Sequence, residues 1–426
     1  MPTEANDTLS SVQYASILEY LSEGECEGIE GGLKGVYLNK VPVQNADGSS
    51  NFHGLDFDER TGTQAQTYIP TLKGTEAETA VNTEITKAAS PGDYIFSVTN
   101  SEVDRVRITL AIPALLQQEE DGDITGHSVT IDIHVQYQGG SYTQVKSDTI
   151  KGKTSDTYQR DYLISLSGNF PVNIKVRRDS GDDATTGWPK EQSKTFVSSY
   201  TTIIDEKFRY PNSALSYLRF DATEFTSLPA RRYLFKGIKV KIPSNATVDT
   251  TTHVGRITYS GVWNGTFKTN KEWTNDPGWC FYDLLISSRY GANINEATLD
   301  KWDFYNISQY CSELVPNGKG GQEPRFSLNL HITDRNSVFE VIKVLTSVFR
   351  GISYYNSGSL VLLQDKEATS KFLIGPSNVI GGTFQYEGSS VKARHTTATV
   401  AWSDYDDLGE ISFDLVEDRD GIAIMG

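Results

Sequence analysis

The sequence predicts a mainly β protein with an α+β C-terminal part. Tyrosine, phenylalanine and tryptophan number 22, 18 and 6 among 426 residues, and threonine and β-branched residues recur throughout; this composition favours strands. Between residues 94 and 205 apolar and polar residues alternate, as in strands with one buried face. After residue 276 the apolar spacing becomes helical. The length allows about two to four domains.

Charge and targeting signals exclude several classes of protein. The 55 acidic and 39 basic residues give a formal net charge of −16, so the chain repels phosphates and is a poor candidate for gripping nucleic acid. No apolar run of about 18 residues predicts a membrane span, and the N-terminus lacks a secretory signal. Cys26, Cys280 and Cys311 suit neither a disulfide framework nor a zinc site. We therefore expect synthesis in the cytoplasm.

Residues 1–93 are predicted to form the first part of one domain. Residues 12–21 fit either a short helix or a strand, because their apolar period does not decide. Residues 22–28 are typical of a loop. Two short apolar runs on either side of Asn39 and Lys40 predict a hairpin.

Residues 94–205 are predicted to form a β-sandwich. The clearest alternating runs are 94–98, 106–110, 129–137 and 172–177, and Gly139-Gly140 is typical of a hairpin turn. About seven such strands in roughly 110 residues are typical of a sandwich. The polar stretch 181–187 is predicted to be a loop within it.

Residues 206–275 are predicted to continue the first domain with further strands, and residues 276–426 to form the α+β domain. Asp276 before Pro277 predicts a helix start, with the helix ending near Gly291. A second helix is predicted over 295–311. A third follows from the i, i+3, i+7, i+10 spacing of Val338, Val341, Leu345 and Val348, closed by Gly351. Residues 352–363 then predict a hairpin turning at 356–358.

Two glycine motifs are interpreted as structural. Gly152-Lys153-Thr154 resembles part of a phosphate loop, but the glycine that such a loop needs is replaced by Ser147, so a turn at a strand end is favoured. A second group of glycines could be interpreted as a pyrophosphate-binding loop. Four glutamates lie among these glycines and would repel a pyrophosphate, so a structural role is favoured. That group consists of Gly24, Gly28, Gly31 and Gly32, with Glu23, Glu25, Glu27 and Glu30.

Other chemistry-bearing residues form no recognisable site. The acidic clusters 119–123 and 404–407 lack the full ligand set of a calcium loop and are favoured as solvated loops. The six histidines (His53, His127, His134, His253, His331 and His395) show no ligand spacing. No Gly-x-Ser-x-Gly elbow of a nucleophilic serine occurs. A glycosidase needs two carboxylates that face each other across a cleft, and local sequence does not encode that arrangement. We predict no catalytic, cofactor-binding or metal-binding residues, no cofactor, and no enzyme.

Aromatic residues are unusually dense over 259–310. We favour the interpretation that these aromatic residues form a core in which strands pack on two helices. The alternatives are an interface and a sugar-binding platform.

Five stretches, all in the same order, carry a resemblance to a known family. They are Ile150-Lys-Gly-Lys-Thr-Ser-Asp-Thr-Tyr; Ser198-Ser-Tyr-Thr-Thr-Ile-Ile-Asp-Glu-Lys with Tyr210-Pro-Asn-Ser-Ala-Leu; Tyr259-Ser-Gly-Val-Trp-Asn-Gly-Thr-Phe-Lys; Trp279-Cys-Phe-Tyr-Asp-Leu-Leu with Arg289-Tyr-Gly; and Tyr310-Cys-Ser-Glu-Leu-Val-Pro-Asn-Gly with Gly320-Gly-Gln-Glu-Pro-Arg. Together they resemble the N-terminal hub portion of the tip attachment protein J family of lambda-type phages, also called host specificity or central tail fibre proteins. The resemblance runs from about residue 10 to the last residues.

The resemblance implies a multi-domain, trimeric hub at the distal tail tip of a long-tailed virion, with an inserted β-sandwich of fibronectin or immunoglobulin type. The hub would join the tail tube to the central fibre, and its ring would close by strand pairing between subunits. Implied partners are further copies of the chain, other tail tip and tail tube proteins, and the tape measure protein. DNA would pass the lumen only as cargo. The family places receptor binding in a C-terminal part that continues beyond residues 415–426, so contact with the host surface is expected there.

Two other classes of function stay open. One is a tail-associated carbohydrate-active or peptidoglycan-degrading enzyme, and the other is a host-receptor-binding module. The acidic residues of 23–30 and 404–410 either line the lumen and keep DNA from sticking, or they only solubilise the outer surface.

Overall fold

The computed structural model describes residues 2–70, 72, 74–184, 186–333, 337–356, 359–367, 369–370, 372–388, 390, 394–405 and 407–425. The chain divides into two compact units. Unit 1 comprises residues 1–21, 52–60 and 64–228, and unit 2 comprises residues 22–51, 61–63 and 229–426.

The secondary structure is mainly β. In chain order the strands are β1 (Tyr14–Glu23), β2 (Cys26–Ile29), β3 (Val36–Leu38), β4 (Val41–Pro42), β5 (Asp56–Thr61), β6 (Thr75–Ile85), β7 (Tyr94–Val98), β8 (Arg105–Ile112), β9 (Leu116–Gln118), β10 (Ile124–Thr125), β11 (His127–Tyr137), β12 (Thr143–Gly152), β13 (Tyr158–Ser165), β14 (Val172–Arg178), β15 (Lys190–Gln192), β16 (Thr195–Ile204), β17 (Ser213–Asp221), β18 (Arg231–Tyr233), β19 (Phe235–Val240), β20 (Ala246–Val248), β21 (Ile257–Tyr259), β22 (Glu272–Trp273), β23 (Leu314–Pro316), β24 (Gln322–Pro324), β25 (Gly351–Asn356), β26 (Ser359–Gln364), β27 (Thr397–Asp404) and β28 (Glu410–Glu417). The helices are α1 (Pro277–Ile286), α2 (Lys301–Cys311), α3 (Val338–Val348) and α4 (Arg419–Met425).

A two-sheet sandwich forms most of unit 1. One sheet has the strand order β12-β11-β14-β7 and the other β13-β8-β16-β6. One apolar core takes side chains from both sheets, including Ile133, Val176, Leu110 and Val197. Buried and less buried positions alternate along β11 and β16, as a sheet with one core-facing side requires. The predicted sandwich is therefore present.

The sandwich begins earlier in the chain than the predicted boundary at residue 94. Its strand β6 precedes that residue and pairs with β16, from Thr75 opposite Ile204 to Ile85 opposite Thr195. Most of β6 is exposed and polar, and Val81 and Ile85 are its members in contact with the core. An edge strand of this kind lacks the apolar alternation on which the prediction depended. The four-part domain division itself stays a prediction.

Unit 1 also contains a small sheet of order β10-β9-β15 and a sheet of order β1-β17-β5, the latter over a small core of Ile69, Leu215 and Tyr217. Residues 12–21, which the sequence left between helix and strand, contribute to β1. Strand formation there is explained by the pairing of β1 with the buried β17.

Unit 2 contains the α+β part. The predicted hairpin around Asn39 and Lys40 is formed by β3 and β4, with φ of 49° and 69° at the two turn residues. Helix α1 begins after Asp276, as predicted, but ends at Ile286, five residues before Gly291. Helix α2 begins at Lys301, because Asn295 caps a separate short 3-10 turn over Glu296–Thr298.

The predicted loop over residues 22–28 is reduced to a short connection at Gly24 and Glu25, because β1 extends to Glu23 and β2 begins at Cys26. Two further predictions for unit 2 agree with the structure. Helix α3 spans the predicted positions, and β25 with β26 forms the predicted hairpin, although its turn residues 357 and 358 lie outside the described residues. The predicted fold class, mainly β with an α+β C-terminal part, is confirmed. Among the described residues no helix is long and apolar enough to cross a membrane.

Candidate functional site

The dense aromatic residues of 259–310 form the core of unit 2. Six of them are buried: Trp263, Trp279, Phe281, Tyr282, Phe304 and Tyr305. The rings of Trp263 and Tyr305 stack with their centroids 5.0 Å apart, and Trp279 meets Trp263 edge-on at 5.8 Å. Such geometry is that of packed aromatic cores. Strands packing on α1 and α2 therefore account for the cluster.

Trp302 is the exposed member of this cluster, with 43% of its surface accessible. It lies at an open groove of about 1010 Å³ that is also lined by Glu296, Lys301 and Asp303. Partial burial raises the pKa of Glu296, but hydrogen bonds from Lys241 and Tyr282 outweigh this effect and hold the pKa below its usual value. Burial and the neighbouring Asp300 raise the pKa of Asp303. The acidic lining disfavours a phosphate ligand.

Asp276 is buried at the start of α1 and ends a chain of hydrogen bonds. Trp279 Nε1 donates to the Tyr259 hydroxyl at 2.8 Å, Tyr259 bonds to Ser308, and Ser308 Oγ donates to Asp276 Oδ2 at 2.7 Å. Ser312 Oγ donates to the same oxygen at 3.3 Å, and Trp279 N donates to Asp276 Oδ1 at 3.0 Å. Burial raises the pKa of Asp276, and the hydrogen bonds from Ser308, Trp279 N and Ser312 offset only part of this effect. The network joins β21, α1 and α2.

Gly152-Lys153-Thr154 lies at the end of β12, in the strand-end position that the sequence favoured. Only 4% of the Lys153 side chain is exposed, and its Nζ donates to Glu4 Oε1 at 2.8 Å and to Asp7 Oδ1 at 2.7 Å. Thr8 N and Leu9 N donate to the Lys153 carbonyl at 2.9 and 3.1 Å. The motif thus holds the N-terminal segment against the sandwich, and its two carboxylates would repel a phosphate.

The acidic residues of 23–30 have basic partners. Lys239 Nζ lies 3.2 Å from Glu27 Oε2 and 3.7 Å from Glu25 Oε1. Lys236 Nζ lies 3.2 Å from Glu30 Oε1, and Arg289 pairs with Glu23. These contacts neutralise much of the negative charge of residues 23–30, so the segment repels phosphates less strongly than its sequence suggests.

The second acidic cluster is also paired. Glu410 Oε1 lies 2.5 Å from Arg232 Nη2 and 3.2 Å from Lys40 Nζ, and Asp407 Oδ1 lies 3.5 Å from the same lysine nitrogen. Hydrogen bonds from Arg232 and Lys40 lower the pKa of Glu410. Asp406, another member of the predicted cluster, lies outside the described residues.

The remaining candidates do not converge. Residues 119–123 form a turn between β9 and β10, in which Glu119 N donates to the Asp123 carbonyl at 2.8 Å. His53 pairs with Glu224, which raises its pKa, and burial lowers the pKa of His134. Within the described ranges no three His, Cys, Asp or Glu residues are placed to hold a metal ion. That no catalytic, cofactor or metal residue exists stays a prediction.

Residues 75–206 match the family model described as the FNIII-A domain of tip attachment protein J. These bounds coincide with the sandwich strands from β6 to β16, and they support the earlier start of this domain. The sandwich is thus similar to a fibronectin type III domain of that family.

The whole chain is similar to two curated proteins. It is 34% identical over 430 residues to the tip attachment protein J of Escherichia phage SECphi27, covering 100% of this chain and 35% of that protein. It is 34% identical over 418 residues to the tip attachment protein J of Escherichia phage SECphi4, covering 95% and 35%. The chain therefore spans about a third of the length of these relatives. The predicted resemblance to tip attachment protein J is confirmed.

Both relatives are named for attachment and not for a reaction, which supports the prediction that the chain is not an enzyme. Among solved structures, those of infectious bursal disease virus, strains Gt and Gx, share little with this fold. Their TM-scores are 0.15 and 0.16 at 10% identity, covering 50% and 52% of this chain and 61% and 79% of theirs.

Proposed function

We propose that this chain, similar along its whole length to tip attachment protein J, is a structural protein of the distal tail tip of a long-tailed phage. It forms a homotrimeric hub that joins the tail tube to the central fibre and takes part in host attachment. The observation that carries the proposal is the 34% identity to two proteins of that name. The match of residues 75–206 to the family's FNIII-A domain also supports it.

The proposed position at the distal tail tip determines the partners of the hub. The hub contacts other tail tip and tail tube proteins and the tape measure protein, and DNA passes its lumen as cargo. The protein is synthesised in the host cytoplasm and located in the virion. As the family resemblance implies, we assign receptor contact to sequence beyond the 35% of each relative that this chain covers.

Labelling of phage particles tests this function. Antibody fragments against residues 75–206 are expected to mark the end of the tail farthest from the capsid, and mass spectrometry of isolated tips is expected to count three copies. Fragments against the capsid protein serve as the control. Label along the tail shaft or on the capsid would contradict the proposed location, and one or six copies would contradict the trimer.

A further inference from the structure

The exposed indole of Trp302 is held in place at the wall of the open groove in unit 2. The rings of Trp263 and Tyr305 meet it edge-on, with centroids 4.7 and 6.2 Å away. Gly265 passes close by, because a Cβ at that position would lie 3.4 Å from the Trp302 ring. Among the described residues that line the groove, Trp302 is the one large hydrophobic side chain that is exposed. The groove thus presents a single flat apolar surface whose orientation is fixed before a ligand binds.

Fixed hydrogen-bonding groups surround this surface. Glu296 accepts from Lys241 Nζ and from the Tyr282 hydroxyl, each at 2.9 Å. Lys301 Nζ donates to the Gly265 carbonyl at 2.6 Å. An ammonium has three donors and a carboxylate about four acceptor positions, so both groups keep free hydrogen-bonding capacity. The groove therefore offers donors as well as acceptors to a ligand.

Asp303 adds an acceptor that has no protein donor. It lines the groove next to Trp302 in the chain and is partly buried. In the part of the chain that the structure describes, its carboxylate makes no hydrogen bond and no ion pair. Burial and the neighbouring Asp300 raise its pKa. A partly buried acceptor of this kind is stabilised by a ligand that donates hydrogen bonds to it.

The charges at the groove favour a neutral ligand. They belong to three acids and two lysines: Glu296, Asp300, Asp303, Lys241 and Lys301. Because these charges nearly cancel, the groove selects neither a strong anion nor a strong cation. The core of a protein interface is depleted in charge, and a protein segment laid over this groove would desolvate several charged groups. A second copy or a further segment of the chain is therefore disfavoured as the occupant.

We propose that the groove binds a neutral saccharide, with one pyranose ring stacked on Trp302 and its hydroxyls bonded to Asp303 and Lys301. A pyranose has C–H groups on its faces, which suit the negative face of an indole, and each hydroxyl at its rim both donates and accepts. The groove volume of about 1010 Å³ lies at the upper end of the range for ligand sites, so more than one sugar ring fits. This site goes beyond the proposed function, which assigns receptor contact to sequence outside this chain.

Saturation-transfer NMR on the full chain tests the site. Maltotriose, cellotriose and chitotriose serve as probes at up to about 10 mM, which detects a dissociation constant of about 1 mM. We expect at least one of them to bind, with the strongest saturation on the C–H protons of one ring face. Trp302→Leu keeps an apolar side chain but removes the flat ring, so we expect it to weaken binding at least about tenfold, and Trp302→Phe to retain most of the binding.

Two further variants make the test specific. Trp188→Leu is the matched control, because Trp188 lies in unit 1 and is 45% exposed, close to the 43% of Trp302. We expect its saccharide binding to equal that of the wild type. Asp303→Asn keeps the shape of the side chain and is expected to weaken binding about threefold or more, because a neutral acceptor makes a weaker hydrogen bond than a carboxylate. Urea unfolding confirms that each variant is folded.

Several outcomes would overturn the site. One is binding of none of the three saccharides. Another is saccharide binding that is unchanged in Trp302→Leu or is lost in Trp188→Leu, since the sugar would then lie elsewhere. A third is binding of a trilysine peptide that Asp303→Asn weakens, while the saccharides do not bind. The groove would then hold a basic protein segment and not a sugar.

The particle-labelling experiment separates this inference from the proposed function. If the chain lies at the tail tip but no saccharide binds, the saccharide site is wrong and the hub function stands. If a saccharide binds in the groove but the label is absent from the tip, the site stands and the hub function is wrong.

Discussion

At the scale of single residues, Asp276 is the acceptor on which the core of unit 2 depends. Its carboxylate receives the helix-capping amide of Trp279 and the hydroxyls of Ser308 and Ser312. All of these groups are buried, so no water replaces a lost partner there. An unsatisfied buried donor costs about 1–3 kcal/mol, and several donors lose their acceptor together if Asp276 is removed.

Alanine at position 276 is therefore expected to lower the free energy of unfolding by about 3 kcal/mol or more, from the lost cap and the orphaned hydroxyls. The matched control is D300A. Asp300 caps α2 by accepting from Trp302 N at 2.9 Å but is exposed, so its loss is expected to cost only about 1 kcal/mol. Urea unfolding followed by tryptophan fluorescence measures both, because Trp263 and Trp279 are buried in this core. Equal losses for the two variants would show that the buried network contributes nothing beyond capping.

The sequence predicted part of this network and missed the rest for a clear reason. Asp276 before Pro277 is a local capping signal, and the structure confirms it. Ser308 on α2 and Ser312, the residue that caps the C-terminus of α2, lie more than 30 residues away from Asp276. Only the packing of α2 on α1 brings them to the carboxylate, and no local spacing encodes that contact.

At the scale of elements, the N-terminal segment is held to the sandwich by the charged side chain of Lys153. In the sequence this lysine belongs to a motif that resembles part of a phosphate loop. Lys153 is buried beneath Glu4 and Asp7, and hydrogen bonds to Asp7 and Glu4 raise its pKa. The segment contributes little apolar surface of its own, since most of residues 2–13 are exposed. Its attachment therefore depends on this lysine and on a few backbone hydrogen bonds.

Lys153→Met is expected to loosen the segment without unfolding the sandwich, because methionine fills the buried volume but donates no hydrogen bond. Amide hydrogen exchange of Thr8 and Leu9, whose amides donate to the Lys153 carbonyl, is expected to become at least about tenfold faster. Lys151→Met on the same strand is the control, since Lys151 is exposed. Unchanged exchange in both variants would show that the backbone hydrogen bonds alone hold the segment.

Strand β6 shows which elements escape prediction from sequence. The strands found in advance, such as β8 and β14, bury alternate side chains deeply, so their apolar period is visible. In β6 the sequence Thr-Glu-Ala-Glu-Thr-Ala-Val-Asn-Thr-Glu-Ile is mostly exposed, and Ile85 is its only buried residue. Its strand conformation comes from hydrogen bonds to β16, which a sequence pattern does not reveal.

The role of β6 predicts different outcomes for two fragments. Residues 75–206 expressed alone are expected to unfold cooperatively, because they contain both sheets and their core. Residues 94–206, which begin near the boundary predicted from sequence, lack β6 and leave the buried Ile85 contact and the edge of β16 uncovered. We expect that fragment to aggregate or to unfold at lower urea concentration. Equal stability of the two fragments by circular dichroism would show that β6 is dispensable.

At the scale of the whole molecule, the net charge of −16 bears on the proposed passage of DNA. The two segments considered as lumen linings, 23–30 and 404–410, hold acids whose charges are matched by Lys236, Lys239, Arg232 and Lys40. Repulsion by these segments alone is therefore modest. In the proposed hub, the acids would instead limit DNA binding by occupying these three lysines and Arg232, which leaves them unavailable to phosphates.

This reasoning predicts that the purified protein does not shift double-stranded DNA in a gel even at about 50 mM salt, where non-specific binding is strongest. The triple variant E25K/E27K/E30K removes the acids that pair with Lys236 and Lys239 and places three further cations beside them. We expect it to bind DNA at low salt and to release it by about 200 mM, because each phosphate contact releases counterions. The matched control E119K/E120K/D121K makes the same charge change in unit 1, at acids that pair with no lysine in the part of the chain that the structure describes. Binding by the wild type, or equal binding by both triple variants, would show that ion pairing of these lysines does not govern contact with DNA.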